Sequence, residues 1–205
     1  MTSADEQLRR ADPVLRALID AGGPLRPEER TRGRPADPYG ALVRSIVGQQ
    51  LSTKAARTIY ERLCALFGGG PPSPEQLLAA DHEALRAAGL SNAKATYLRD
   101  LARHVVDGSL ELDRLDELSD EEIIAELTAV KGLGRWTAEM FLIFHLGRPD
   151  VLPVDDLGIR RAVERAYGLG GLPSADELRA IAEPWRPQRT LACLYLWRSL
   201  DNAPA

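Results

Sequence analysis

The chain has 205 residues, enough for one sizeable core or two small helical lobes and too few for several independent domains. Hydrophobic residues at 44% and charged residues at 27% are ordinary for a soluble globular protein and argue against wholesale disorder, and no apolar run is long enough to span a bilayer. A net charge of −4 argues against a protein that coats nucleic acid through a broad basic surface, and two cysteines are too few for a zinc or four-cysteine iron-sulfur site.

Met1 to Glu6 is polar and acidic and lacks the basic-then-apolar pattern of a secretory signal, so a cytoplasmic protein is expected. Asp12-Pro13 and Asp37-Pro38 each pair an N-cap candidate with a first-turn proline, and Arg26 to Ala36 reads as an exposed loop. Leu42/Val43/Ile46/Val47, Ala56/Ile59/Leu63/Leu66 and Leu98/Leu101/Val105 are apolar sets at helical spacing that form buried stripes. Capping-box spacing at Ser73 to Gln76, Ser119 to Glu122 and Ser174 to Glu177 marks three more helix starts.

Cys64 and Cys193 fall in these apolar patterns as small buried hydrophobes, and His82, His104 and His145 are scattered without ligand spacing. Charge is uneven: Glu111 to Glu126 is acidic, while Arg160, Arg161, Arg165, Arg186, Arg189 and Arg198 crowd the final third, where they could form a local basic face.

The pattern predicts an all-α protein of two helical lobes flanking a cleft, a common setting for a ligand pocket. Residues 1–37 are expected to pack as a helix and loop on the helical body, with one lobe over 38–115 and a second over 116–205.

Between two predicted helices runs Leu127-Thr128-Ala129-Val130-Lys131-Gly132-Leu133-Gly134-Arg135-Trp136-Thr137-Ala138. Two glycines one residue apart allow a tight turn and close approach of the backbone to another surface. The helix that follows presents unpaired amides and a positive dipole end, which suits a phosphate irrespective of base sequence. By itself, a G-x-G of this kind is also an ordinary helix cap. About twenty residues on, Leu152-Pro153-Val154-Asp155-Asp156-Leu157-Gly158 places two acids where a helix opens; either could be only an N-cap.

Together the hairpin and the aspartate resemble the helix-hairpin-helix (HhH-GPD) superfamily of DNA glycosylases, in particular the DNA-3-methyladenine glycosylase II type in its compact form without the N-terminal β-domain. The likeness runs over roughly residues 38 to 201 and includes Trp185-Arg186-Pro187-Gln188-Arg189. It implies base excision repair by a monomer acting on double-stranded DNA with alkylated bases, with no membrane partner. The catalytic acid falls on Asp156, with Asp155 the alternative.

On the same resemblance, Val130, Lys131, Gly132, Leu133, Gly134, Arg135 and Thr137 form the DNA-binding hairpin. The backbone carbonyls of Thr128, Val130 and Gly132 would hold a structural Na+ or K+; neither an iron-sulfur cluster nor zinc is expected. Family members that also nick the strand carry a nucleophilic lysine where this chain has Trp136, so a monofunctional enzyme is implied. Trp136, Met140, Leu157 and Trp197 correspond to base-pocket positions, Met140 and Leu157 replacing aromatic residues that would stack on an electron-poor alkylated base. Ile46-Val47-Gly48-Gln49-Gln50-Leu51-Ser52 resembles the loop whose wedge fills the gap left by a flipped base, which places that role on Gln50 with Leu51 beside it.

Three other readings stay open. One is a non-enzymatic helix-hairpin-helix protein that needs no Asp156, and another is a glycosylase-lyase of the endonuclease III type. The third is a helical scaffold using its arginines on a protein partner. Even among glycosylases, the residues do not rank 3-methyladenine, 7-methylguanine, 1-methyladenine or hypoxanthine as the lesion.

Overall fold

The computed structural model describes residues 2–26 and 37–201, and every regular element within them is helical. Apart from Arg26, the expected exposed loop lies outside the described residues. The helices are α1 (Ser3–Ala11), α2 (Pro13–Gly22), α3 (Pro38–Gly48), α4 (Thr53–Leu66), α5 (Pro74–Ala79), α6 (His82–Ala87) and α7 (Asn92–Val106). They continue with α8 (Asp120–Ala129), α9 (Arg135–Phe144), α10 (Leu157–Tyr167), α11 (Ala175–Ala182) and α12 (Arg189–Asp201), with short 3-10 turns at Leu112–Glu117 and Glu183–Trp185. None of these helices is long and apolar enough to cross a membrane.

Local chemistry sets these starts. Asp12 and Asp37 cap α2 and α3 ahead of first-turn prolines, and the capping boxes at Ser73, Ser119 and Ser174 all form. A fourth box, Thr2 with Asp5, opens α1. The stripe of α4 differs from expectation. Leu63 is fully buried, but Leu66 is 48% exposed, and the buried face runs through Cys64 instead.

By contacts the chain divides into two units: the described residues of Arg34–Phe141 form one, and those of Met1–Gly33 with Leu142–Ala205 the other. This corrects the expected division. The hairpin goes with the residues before it because Gly132 sits on the Tyr97 ring of α7 and Lys131 donates its amide to Asp100.

In the first unit, α3 packs on α4 and α7 while α5 and α6 cover α7, burying Leu42, Ile46, Leu77, Leu85, Leu98 and Leu101. In the second, α12 packs on α10 and α2, and α1 on α2. The N-terminal helices are bound into this core by two buried carboxylates. Asp12 accepts hydrogen bonds from the Tyr167 hydroxyl at 2.6 Å and the Trp185 indole at 2.9 Å. Asp5 accepts one from Tyr195 at 2.7 Å, and burial together with Asp5 pushes that phenol up to about 12.

Candidate active site

The Asp156 carboxylate is set by three neighbouring features of its own unit. As the N-cap of α10, its Oδ1 accepts the Ile159 amide at 2.8 Å, and the same oxygen accepts the Trp197 indole N–H at 2.9 Å. Trp197 stacks on Phe144 with ring centroids 5.7 Å apart, which fixes the plane of the indole. Gly158 makes this approach possible: a Cβ there would lie 2.9 Å from Asp156 Oδ1 and 3.1 Å from Trp197 Nε1. Asp156 is buried while Asp155 faces solvent, so the two acids differ in setting.

Upstream, the loop that delivers Asp156 is fastened to α12. Asp150 is gripped by Arg189, Nε to Oδ1 at 2.8 Å and Nη2 to Oδ2 at 2.9 Å, and by Arg186 Nη1 at 2.6 Å. The Val151 amide donates to Thr190 Oγ1 at 3.0 Å. The Trp-Arg-Pro-Gln-Arg segment thus acts through structure: Trp185 is fully buried on Asp12, and Arg189 holds the loop.

Four of the six arginines of the final third are held by named partners. Arg186 and Arg189 bind Asp150, Arg160 donates to the Pro173 carbonyl, and Arg198 donates to the Gly23 carbonyl while its guanidinium lies over the Tyr195 ring. Four of the six arginines are therefore committed within their own unit.

In the other unit, α8 ends at Ala129 with Val130 as its C-cap, and α9 opens at Arg135. Val130 and Leu133 are buried and lock the hairpin to the core, whereas Lys131 and Gly134 are exposed at its tip. Gly132 has φ +89°, and a Cβ on it would fall 2.2 Å from the Tyr97 ring, so both backbone conformation and space demand glycine.

The side chains of two hairpin residues are engaged within the unit. Arg135 is clamped by Glu121 at 2.6 and 3.1 Å and by Glu139 at 3.1 Å, and the Glu121 contact holds its pKa above the usual range. Thr137 is buried and lines a cavity. What both can still offer a phosphate is the backbone of the first turn of α9.

That cavity, about 450 Å³, falls in the size range of small-molecule sites and is lined by Arg44, Gln49, Gln50, Leu51, Trp136 and Met140 among others. Wedge and pocket candidates that were read separately are thus brought together, Trp136 standing 48% exposed and Met140 buried. Leu157, 46% exposed, and Trp197 belong with Asp156 in the other unit.

Gln50 has φ +57°, a left-handed conformation that costs a non-glycine residue about 1–2 kcal/mol. Sequence reasoning missed what surrounds it. Lys94 Nζ donates to the carbonyls of Val47 at 2.8 Å and Gln49 at 2.7 Å, and Gln49 Nε2 donates to the Gly132 carbonyl at 2.8 Å.

As donors for a monovalent cation, the carbonyls of Thr128, Val130 and Gly132 are of suitable hard, neutral character. Val130 already accepts the Leu133 amide and Gly132 accepts Gln49, which leaves each oxygen its second lone pair. Among the described residues no cluster of three or more His, Cys, Asp or Glu side chains could bind a metal.

Residues 43–187 match the HhH-GPD superfamily base excision DNA repair protein family. DNA-3-methyladenine glycosylase 1 of Schizosaccharomyces pombe is 36% identical over 201 residues, 97% of this chain and 87% of that protein. Two solved structures superimpose with a TM-score of 0.87: the S. pombe 3-methyladenine DNA glycosylase in complex with abasic DNA, at 36% identity and covering 98% of both chains, and a Bacillus halodurans DNA-3-methyladenine glycosidase, at 39% identity and covering 98% of this chain and 90% of that one.

Proposed function

The chain belongs to the HhH-GPD superfamily of base excision DNA repair proteins, and from that premise we propose that it is a monofunctional DNA glycosylase. It hydrolyses the N-glycosidic bond of alkylated purines of the 3-methyladenine and 7-methylguanine type, after flipping them from double-stranded DNA, as a monomer in the cytoplasm. The observation that carries this reading is the Asp156 carboxylate, buried at a helix start and aimed by the Trp197 indole.

An alkylated purine carries positive charge and leaves without a dedicated general acid. Positive charge then develops on the sugar as the glycosidic bond breaks, and the fixed Asp156 carboxylate stabilises it until water adds to the sugar carbon. Free base and an abasic sugar result, and the proton that the added water gives up passes to solvent. Trp136, beside Met140 in its own unit, supplies an aromatic face for the electron-poor base, and Leu157 and Trp197, which stand with Asp156 in the other unit, are the further residues that the family resemblance assigns to the base.

Where strand-nicking relatives carry a nucleophilic lysine, Trp136 offers no amine for a Schiff base, and the Lys94 amine is occupied by the Val47 and Gln49 carbonyls. The hairpin's backbone holds a phosphate, Gln50 and Leu51 fill the gap in the stack, and the carbonyls of Thr128, Val130 and Gly132 would hold Na+ or K+. Such an ion would add positive charge beside the phosphate.

Incubation with methylated duplex DNA is expected to release free 3-methyladenine or 7-methylguanine and to leave strands intact until alkali is added. Tight DNA binding without base release would instead favour a non-enzymatic hairpin protein.

A further inference from the structure

We propose that one face of α7, presented by Lys94, Tyr97 and Asp100, is a strut that holds the wedge loop and the hairpin in fixed register, with Lys94 a positioning residue for base extrusion. The inference rests on the reading of this chain as a base-flipping glycosylase.

Residues spaced by three stand on one helix face. Each of these three holds a different part. Lys94 draws together the carbonyls of Val47 and Gln49 at the end of α3, at 2.8 and 2.7 Å. Tyr97 occupies the space where Gly132 lacks a Cβ. Asp100 Oδ2 accepts the Lys131 amide at the hairpin tip, at 2.8 Å.

A fourth contact closes the ring, since Gln49 Nε2 reaches the Gly132 carbonyl at 2.8 Å. Helix, wedge loop and hairpin are therefore linked pairwise within one unit. The left-handed backbone of Gln50 gives this linkage a purpose: a residue keeps such a conformation only where its surroundings over-determine it. Lys94 holds the carbonyl immediately before Gln50, and Gln49 ties the same point to the hairpin. The wedge is thereby aimed before DNA arrives, and a pre-aimed element fills the gap at lower ordering cost.

Lys94→Met keeps the side-chain stem and removes the ammonium, Lys94→Arg restores the charge, and Gln49→Met opens the ring at a second point. With 2-aminopurine opposite an uncleavable abasic analogue, native protein is expected to change the fluorescence on binding. Lys94→Met should bind within about threefold of native affinity yet lose most of that change. On a lesion in paired duplex its kcat should fall about tenfold or more with KM little altered. The loss should shrink on a mismatched lesion, whose extrusion costs less, and Lys94→Arg should recover part of it.

A native fluorescence change and native kcat in both Met variants would overturn the proposal, and so would an equal loss on paired and mismatched lesions. If Lys94→Met does not fold, Gln49→Met decides by the same readouts. Should native protein release no base at all, the glycosylase reading falls while the fluorescence arm still judges the strut.

Discussion

The indole N–H of Trp197 and the Oδ1 of Asp156 stand 2.9 Å apart, and Phe144 stacks on the face of that indole. The tryptophan assigned from sequence to the base pocket thus also aims the carboxylate. A hydrogen bond to a charged group is worth about 1.5–3 kcal/mol, or roughly 10- to 150-fold if fully expressed in the transition state. Trp197→Phe keeps an aromatic ring against Phe144 and is expected to lower single-turnover base release about tenfold or more. Native rates in this variant would show the bond to be incidental.

Gly158→Ala tests the same arrangement from below. The added Cβ would meet Asp156 Oδ1 at 2.9 Å and Trp197 Nε1 at 3.1 Å, so one of them must move. Alanine in a helix gains about 0.5–1 kcal/mol over glycine, which offsets part of the crowding. Base release should therefore fall about tenfold while the melting temperature moves by only a few degrees. A comparable loss of both would point to general unfolding.

Acid stability is expected to hinge on Asp12. Burial alone would raise its pKa, but hydrogen bonds from Tyr167, Trp185 and the Leu15 and Val14 amides outweigh it and hold the carboxyl below its ordinary 3.8. A depressed carboxylate stabilises the fold above its unfolded pKa and loses that contribution as pH falls through the lower folded value. Melting temperature should thus decline below about pH 4, and Asp12→Asn should be less stable at pH 7 with a flatter acid limb. An acid limb unchanged by the substitution would remove Asp12 from this role.

Glu121 restrains Arg135 at the hairpin, and Arg135 in turn holds the Glu121 carboxyl below its usual range. Glu121→Gln should free one cation beside the phosphate that the hairpin is proposed to hold. DNA affinity is expected to rise, and the slope of log affinity against log salt to steepen by up to about 0.9, the value for one added phosphate contact. An unchanged slope in salt titrations would mean that Arg135 stays with Glu139.

Features written in short-range chemistry were legible beforehand. Caps at Asp12, Asp37, Ser73, Ser119 and Ser174 and the apolar stripes of α3 and α7 depend on neighbours a few residues away, so the all-α fold could be read directly. The unit boundary was not, because it depends on Gly132 meeting Tyr97 and on Asp12 meeting Trp185 173 residues further on. For the same reason the contacts of the arginines in the final third were not legible, their partners Asp150, Gly23 and Pro173 being set by folding. Gly158 offered a signal in hindsight: a glycine two residues after a helix-opening acid is poor for a helix unless something must come close. Lys94 offered none beyond its place as one of only three lysines.

The most direct test compares native protein with Asp156→Asn for free-base release from alkylated duplex, with DNA affinity measured alongside. Asparagine can still cap α10, so the fold and DNA binding should persist while base release falls by at least about 10²–10³-fold. Near-native release from Asp156→Asn would contradict the account, and its loss in Asp155→Asn instead would move the chemistry to the exposed neighbour.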